Sequence, residues 1–412
     1  LSKKLEIGPA ILVTAAFIGP GTVITASLAG AHFGYSLIWA LLFSVLATII
    51  LQEMAARLGV ITQMGLGENL RTAIENPILR AIMLVLVFCA IVIGNGAYQS
   101  GNISGASLGL ASLFPGLLTV SPAEFLPSEF NGWPLVIGMM AFTLMWRGSY
   151  DLVEKSLISL VIVMSLAFLV TFFMTAPDLS ELFSGLLIPT IPTGAALTVI
   201  ALIGTTVVPY NLFLHAASAR QKWRSAEQLP EARRDLLISI PIGGLISIAI
   251  VSTAAAAFFG KQVQLQSAAD LAPALEPLFG HWAKNFMAVG LFAAGISSAI
   301  TAPLAAAYAL SGIFNFKPDM HAKSFKAIWI VILLLGVIVS SIGYKPINII
   351  WFAQVANGLL LPIVTGFLLW AMNQPRLHDY RNSLGQNIMG GIILLITILL
   401  GGRSLVSAFG LL

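Results

Sequence analysis

The chain has 412 residues, of which 58% are hydrophobic and only 9% charged, with a formal net charge of +4. That balance excludes an ordinary soluble globule, whose water-facing surface needs far more charged area than this chain can supply. Apolar runs of roughly 20 residues, the length that crosses a bilayer, follow one another with short polar gaps, so the sequence reads as an all-α polytopic membrane protein.

Eleven spans are expected in a single domain over 1–412. The first, near 8–32, starts after seven residues without a secretory leader and is expected to be its own insertion signal. It carries Gly19-Pro20-Gly21 in its middle, with no charge. Spans near 36–60, 78–108, 132–148 and 156–175 follow. The second holds Glu53 with Arg57 one turn later, the order that favours an i,i+4 ion pair. In the third lies Cys89, the single cysteine, which excludes an intrachain disulfide and is expected to be a buried packing residue. The sixth span, near 193–218, is interrupted at Pro209 within "GTTVVPYNLFLH". Spans near 235–259, 282–312, 325–343, 346–372 and 384–406 complete the chain.

Lys and Arg divide unevenly between alternate loops. One side holds 17 of the 21, from Lys3, Lys4 and Arg57 through the Arg220–Arg234 cluster to Arg376 and Arg381. The other has Lys261, Lys284, Lys345 and Arg403, beside the acidic Glu124, Glu129, Asp178 and Glu181. By the positive-inside rule the N-terminus is expected to be cytoplasmic and the C-terminus extracytoplasmic, in a multi-pass protein of the plasma (inner) membrane. The basic charge then reflects topology, and no nucleic-acid partner is called for.

Spans one and six, each interrupted, head two groups of five. An inverted five-plus-five repeat (about 8–175 and 193–372) plus one additional helix (about 384–406) is the pattern of a large group of secondary transporters. Proline removes a backbone donor and glycine relaxes the φ restriction, so each break leaves amides and carbonyls without helical partners. Such groups are tolerated at membrane depth only where they face protein or a water-filled cavity. The breaks therefore mark a substrate site, against the plainer alternative of two proline kinks in packed helices.

These motifs resemble the Nramp (natural resistance-associated macrophage protein) family of divalent-metal transporters. "GPG" followed by "AGAHFGYSLIWALLFSVLATIILQEMAARLGV" is similar to the family's Asp-Pro-Gly-Asn motif, its G-A-x-F-G-Y-S-L-L-W turn and its Q-x-x-A-A-R-L-G ending. "GTTVVPYNLFLH" is similar to the family's G-A-T-V-M-P-H-N-L-Y-L-H, and spans eight and ten also resemble their counterparts. The resemblance implies a LeuT-like fold with helices one and six broken, alternating access, and a midplane site. Pro20, Gly21 and Pro209 match the family pattern. The departures fall on its chemistry: Gly19 stands for the metal-binding aspartate, Thr22 for the asparagine and Val208 for the sulfur-bearing methionine. Thr205 takes the place of a carbonyl-donating alanine, Tyr210 of the histidine, and Gln99 and Asn102 of the two acids of span three.

Divalent ions shed water most readily to carboxylates, imidazoles or thiolates, and none of these stands at the breaks. Apart from Glu53, every Asp and Glu falls at a span end or in a loop, which leaves His215 as the candidate proton relay, or else a packing histidine. What remains is a neutral polar lining of Thr22, Gln99, Asn102, Thr205, Thr206, Tyr210, Asn211, Gln354 and Asn357. The expected substrate is accordingly a small neutral or zwitterionic solute. The alternatives are a hard divalent ion such as Mg²⁺ held through waters, carbonyls and hydroxyls, or a non-transporting scaffold or sensor. No cofactor or resident metal is expected, no hydrolytic constellation makes the chain an enzyme, and the sequence specifies no oligomeric state.

Overall fold

The computed structural model describes residues 18–120, 130–147, 151–261, 265–317, 319–342 and 344–408. The first half of span one, with Lys3 and Lys4, and the acids Glu124 and Glu129 lie outside the described residues. The second half of that span is α1 (Pro20–Phe33). It is followed by α2 (Ile38–Thr62), the short α3 (Leu66–Ala73), α4 (Pro77–Leu113), α5 (Trp133–Arg147), α6 (Asp151–Met174) and the short α7 (Leu179–Leu187). The sixth span is two helices, α8 (Ala196–Thr206) and α9 (Pro209–Lys222). Then come α10 (Leu229–Phe258), α11 (Ala283–Phe314), α12 (Lys323–Ser341), α13 (Pro346–Ala371) and α14 (Leu384–Ala408). A two-residue antiparallel pairing, Thr119–Val120 with Phe130–Asn131, joins the ends of the loop between α4 and α5.

Among the described residues eight helices are long and apolar enough to cross a membrane. The other three expected spans correspond to α1, α5 and α6, whose described apolar parts are shorter but lie at the expected positions. Local chemistry starts several of these helices. Asn76 accepts bonds from the amides of Ile78 and Leu79 and is followed by Pro77 at the first helical position, where the missing N–H costs nothing. Asp178 caps the short α7 in the same way.

Small residues bring the helices together, as they must where lipid removes the hydrophobic drive for association. A Cβ at Gly30 would collide with the Val251 carbonyl, which places α1 directly on α10. Gly59 does the same for α2 against Ala216 of α9, so the first helix of each half lies against the second helix of the other. At the centre, Gly109 and Gly295 let α4 and α11 meet backbone to backbone. Apolar side chains left outside, such as Ile78, Ile82 and Val85 on α4, form the lipid-facing surface. Cys89 belongs to that surface: it is exposed, contrary to the expectation of a buried packing residue, because the first half of α4 lies at the edge of the bundle.

The Glu53–Arg57 pair forms as its spacing predicts, at 3.0 Å, and belongs to a larger network. Arg57 is 97% buried, since 3% of it is accessible; it also donates to the carbonyls of Tyr380 and Arg381 and to Asn382 Oδ1. The second oxygen of Glu53 receives Arg233 at 2.9 Å, and Glu68 pairs with Arg220 at 2.6 Å.

Candidate functional site

Each break takes the backbone out of helical geometry. Gly19 is extended (φ −112°, ψ −173°) and Pro20 opens α1, with Val23 N–H reaching back to the Gly19 carbonyl at 3.2 Å. The Gly21 amide is a first-turn donor at the N-terminus of α1 and lies at the positive end of its dipole. In the sixth span the helix stops at Thr206, and Val207 (φ −92°, ψ 78°) and Val208 (φ −87°, ψ 120°) step out of helical geometry before Pro209 opens α9. Pro209 has no N–H for the Thr205 carbonyl, so the C-terminal end of α8 presents acceptors.

Gln354 of α13 ties the two breaks together. A Cβ at Gly21 would strike its amide, and a Cβ at Gly204 would strike its backbone carbonyl, so α1, α8 and α13 converge on this one residue. The Gln354 amide nitrogen reaches Ile350 O only at 3.5 Å, and its Oε1 is buried without a hydrogen-bond partner. The same holds for both side-chain polar atoms of Asn211 and of Asn357. A buried amide left unsatisfied costs about 1–3 kcal/mol, which makes Gln354 and Asn357 on α13 and Asn211 just past the second break candidates for contact with water or a ligand. The Thr205 hydroxyl, by contrast, is engaged with Leu202 O at 2.7 Å and stands 3.3 Å from the Thr206 hydroxyl. Thr22, Val208 and Tyr210 are buried beside the breaks.

On α4 the sequence reading and the geometry differ. Gly94 lies against Asn357, Gly101 against Ala353 and Gly105 against Pro20, so these glycines define the face toward the breaks. Tyr98 sits on that face, its ring 5.2 Å from that of Tyr210 in an edge-on contact. Gln99, one residue on, points away: it donates to Ala299 O on α11 at 2.9 Å and packs under Gly336 of α12. Asn102 stands at the margin, its backbone carbonyl against Gly295 and its amide nitrogen unpartnered. The i, i+7, i+11 spacing of Gly94, Gly101 and Gly105 was the signal that identifies Tyr98 instead of Gln99. His215 is fully buried on α9 with Nδ1 2.7 Å from Gln52 Oε1, which fixes its ring against α2, one to two turns from the break.

A groove of about 410 Å³ opens on the opposite face from the charge network, where α1 ends and α8 and α13 begin. It is lined by Leu28, His32, Thr198, Gln266, Lys345 and Trp351, among others. Leu28 and Thr198 lie about two turns from Gly21 and Thr205 on the same helices, so the groove leads toward the breaks. The site itself is closed to solvent: Thr22, Thr205, Asn211, Gln354 and Asn357 are each at most 2% accessible. Among the described residues no group of three His, Cys, Asp or Glu is arranged to hold a metal ion.

The family profile described as natural resistance-associated macrophage protein-like matches residues 10–407. The chain belongs to the Nramp family. It is 27% identical to the divalent metal cation transporter MntH of Klebsiella pneumoniae (strain 342), over 98% of this chain and 95% of that protein. MntH of Yersinia pestis (strain Pestoides F) shows the same identity and coverage. In three dimensions this Nramp protein resembles a variant of the Eremococcus coleocola manganese transporter, with a TM-score of 0.75 at 21% identity over 99% of this chain and 89% of the other. It also resembles Mhp1, a nucleobase-cation-symport-1 family transporter, in a closed conformation, with a TM-score of 0.58 at 16% identity over 99% and 94%. The all-α LeuT-like architecture is thereby established, and with it a multi-pass membrane transporter type.

Proposed function

We propose that this Nramp protein carries a hard divalent cation, such as Mg²⁺ or Mn²⁺, through a neutral oxygen site between its two broken helices. The relatives are divalent-metal transporters along nearly their whole length, which moves the reading from the neutral solute expected on sequence grounds to a cation. The observation that carries it is a set of buried, unpartnered amide oxygens beside the breaks, Gln354 Oε1 and Asn357 Oδ1 on α13 and Asn211 Oδ1 two residues past Pro209, together with the C-terminal carbonyls of α8. All are hard donors. With no carboxylate or thioether at the breaks, the ion keeps part of its water shell, as Mg²⁺ commonly does. The missing counter-charge makes binding weak, and the helix-end carbonyls supply part of it.

The repeat organisation, 8–175 against 193–372, gives the motion: one bundle containing both breaks moves against the rest around a fixed site. We place the face bearing the charge network in the cytoplasm, on the distribution of Lys and Arg.

A second reading keeps the zwitterionic solute. It is favoured by the N-terminus of α1 at Gly21, which suits a carboxylate, and by Lys345 and His32 in the entry groove. Titration calorimetry of the purified protein separates the two. Saturable heats with Mg²⁺ and Mn²⁺, and uptake of the ions by proteoliposomes, are the expected result. Silence toward both metals with thermal stabilisation by an amino acid supports the second reading, and silence toward both ligand classes leaves a scaffold. The triple substitution Gly19→Asp, Thr22→Asn, Val208→Met is expected to tighten Mn²⁺ binding by restoring an anionic, sulfur-bearing donor set.

A further inference from the structure

Helices α5 and α12 run antiparallel at the edge of the bundle and leave between them an apolar groove of about 370 Å³. Leu135, Met139 and Phe142 of α5 face Ile330, Leu334 and Val337 of α12 across it. The groove has a glycine floor: a Cβ at Gly138 would collide with Val337, so the helices touch there and splay above. Its walls are open to lipid, with Met139 and Leu334 67% and 52% accessible.

Following the same faces one turn further, α5 reaches Trp146 and α12 reaches Lys326. Phe142 stacks on Trp146 with ring centroids 5.5 Å apart, and Trp329 closes on Phe142 at 5.5 Å. The Lys326 ammonium stands 4.1 Å from the centroid of the Trp146 ring, a cation–π contact that holds the charge at the mouth of the groove. Arg147 and Lys323, both exposed, begin the loops on either side. Among the described residues no carboxylate lies within ion-pair distance of Lys326. One end is thus an apolar, lipid-facing groove and the other a cation held on Trp146 beside Trp329, the kind of aromatic and basic pairing found at a membrane interface.

We infer that this groove is a site for one anionic phospholipid, with an acyl chain between α5 and α12 and the phosphate at Lys326. Charge complementarity selects the lipid class: three basic side chains at one groove end repel the quaternary ammonium of a zwitterionic headgroup and attract a net negative one. Both helices belong to the part of the fold packed outside the broken pair, so the lipid would brace the frame against which the breaks move.

The test is native mass spectrometry of the delipidated full-length protein, titrated with phosphatidylglycerol or with phosphatidylcholine of the same chains. One phosphatidylglycerol is expected to bind several-fold more tightly than phosphatidylcholine. Lys326→Gln should lower that preference by about fivefold, the effect of one interfacial basic residue. Lys326→Arg should restore it, and Met139→Trp, which fills an exposed wall of the groove, should reduce retention of the lipid. Thermal melting in lipid-free detergent controls for folding, and neither Lys326 variant should shift it. Equal retention of the two lipids, an unchanged preference in Lys326→Gln, or a dimer that displaces lipid from the groove would overturn the assignment.

Discussion

The charged face and the broken centre of this molecule use opposite chemistry. At the charged face the buried charges have partners, although the Nε atoms of Arg57 and Arg376 make no hydrogen bond: Glu53 receives both Arg57 and Arg233, Glu68 receives Arg220, and Arg376 donates to Thr72 and to the Asn69 carbonyl. At the centre no charge is present, yet Asn211, Gln354 and Asn357 are buried with polar atoms unmatched. A matched network fixes one arrangement of helices, while an unmatched one invites an occupant. Stability and transport should therefore respond to substitution in separate places.

The largest loss of stability belongs to Arg57. Arg57→Met leaves the Tyr380 and Arg381 carbonyls and one side of Glu53 without a donor, and breaking a buried pair on one side costs about 3–5 kcal/mol. Fluorescence-detected thermal unfolding should show the steepest drop of any variant named here, with recovery when Glu53 is also made apolar. A mild phenotype would mean that the network is not what closes this face.

Next come the two glycines under Gln354, which separate packing from function. A methyl at Gly204 meets only backbone, the Gln354 carbonyl and the Gly358 amide, so α8 and α13 must part. Gly204→Ala is expected to cost about 1–3 kcal/mol, the range for overpacking. At Gly21 the methyl meets the far end of the Gln354 side chain, which can swing aside. Gly21→Ala should melt within about 1 kcal/mol of the wild type, yet lose cation uptake because the amide has left the junction. Equal melting shifts for both would show that Gln354 is as rigid as the backbone.

Gln354→Leu sharpens the contrast, since it removes a buried amide whose oxygen has no partner and whose nitrogen makes only a 3.5 Å bond. The variant should be as stable as the wild type, or more so by about 1 kcal/mol, because an unsatisfied group is lost. Uptake should fall at least ~tenfold, equivalent to one good interaction of about 1.4 kcal/mol. Reduced stability together with full uptake would place the substrate elsewhere.

The fold was legible because its signals are local and strong: apolar runs of spanning length, and a proline interruption in the first span of each half. Proline alone does not break a helix here. Pro241, Pro303 and Pro362 lie inside the continuous α10, α11 and α13. Pro209 differs in following Val207 and Val208, which leave helical geometry and free the α8 end to face Gln354. That distinction depends on what packs across the break and is invisible in sequence. The lining was read in part for the same reason. Asn211, Gln354 and Asn357 are buried near the breaks with unpartnered polar atoms, whereas Gln99 points toward α11 and α12 because a shift of one residue rotates a helical side chain by about 100°. Tyr98 was missed because polarity guided the choice, and an aromatic ring among glycines reads as packing.

The smallest expected effect lies in the exposed half of the charge network. Arg233 is 47% accessible where it meets Glu53, so its pair gains little over hydration and is screened by salt. Arg233→Ala should lower stability by no more than about 1 kcal/mol, with the difference shrinking in high salt. The Arg57 variant should show much less salt dependence, because the Arg57 side chain itself is only 3% accessible. If Arg233 acts on transport instead, its variant will melt normally and change the uptake rate. The pair would then hold the charged face only in one of the two alternating states, closing it while the breaks face the opposite side.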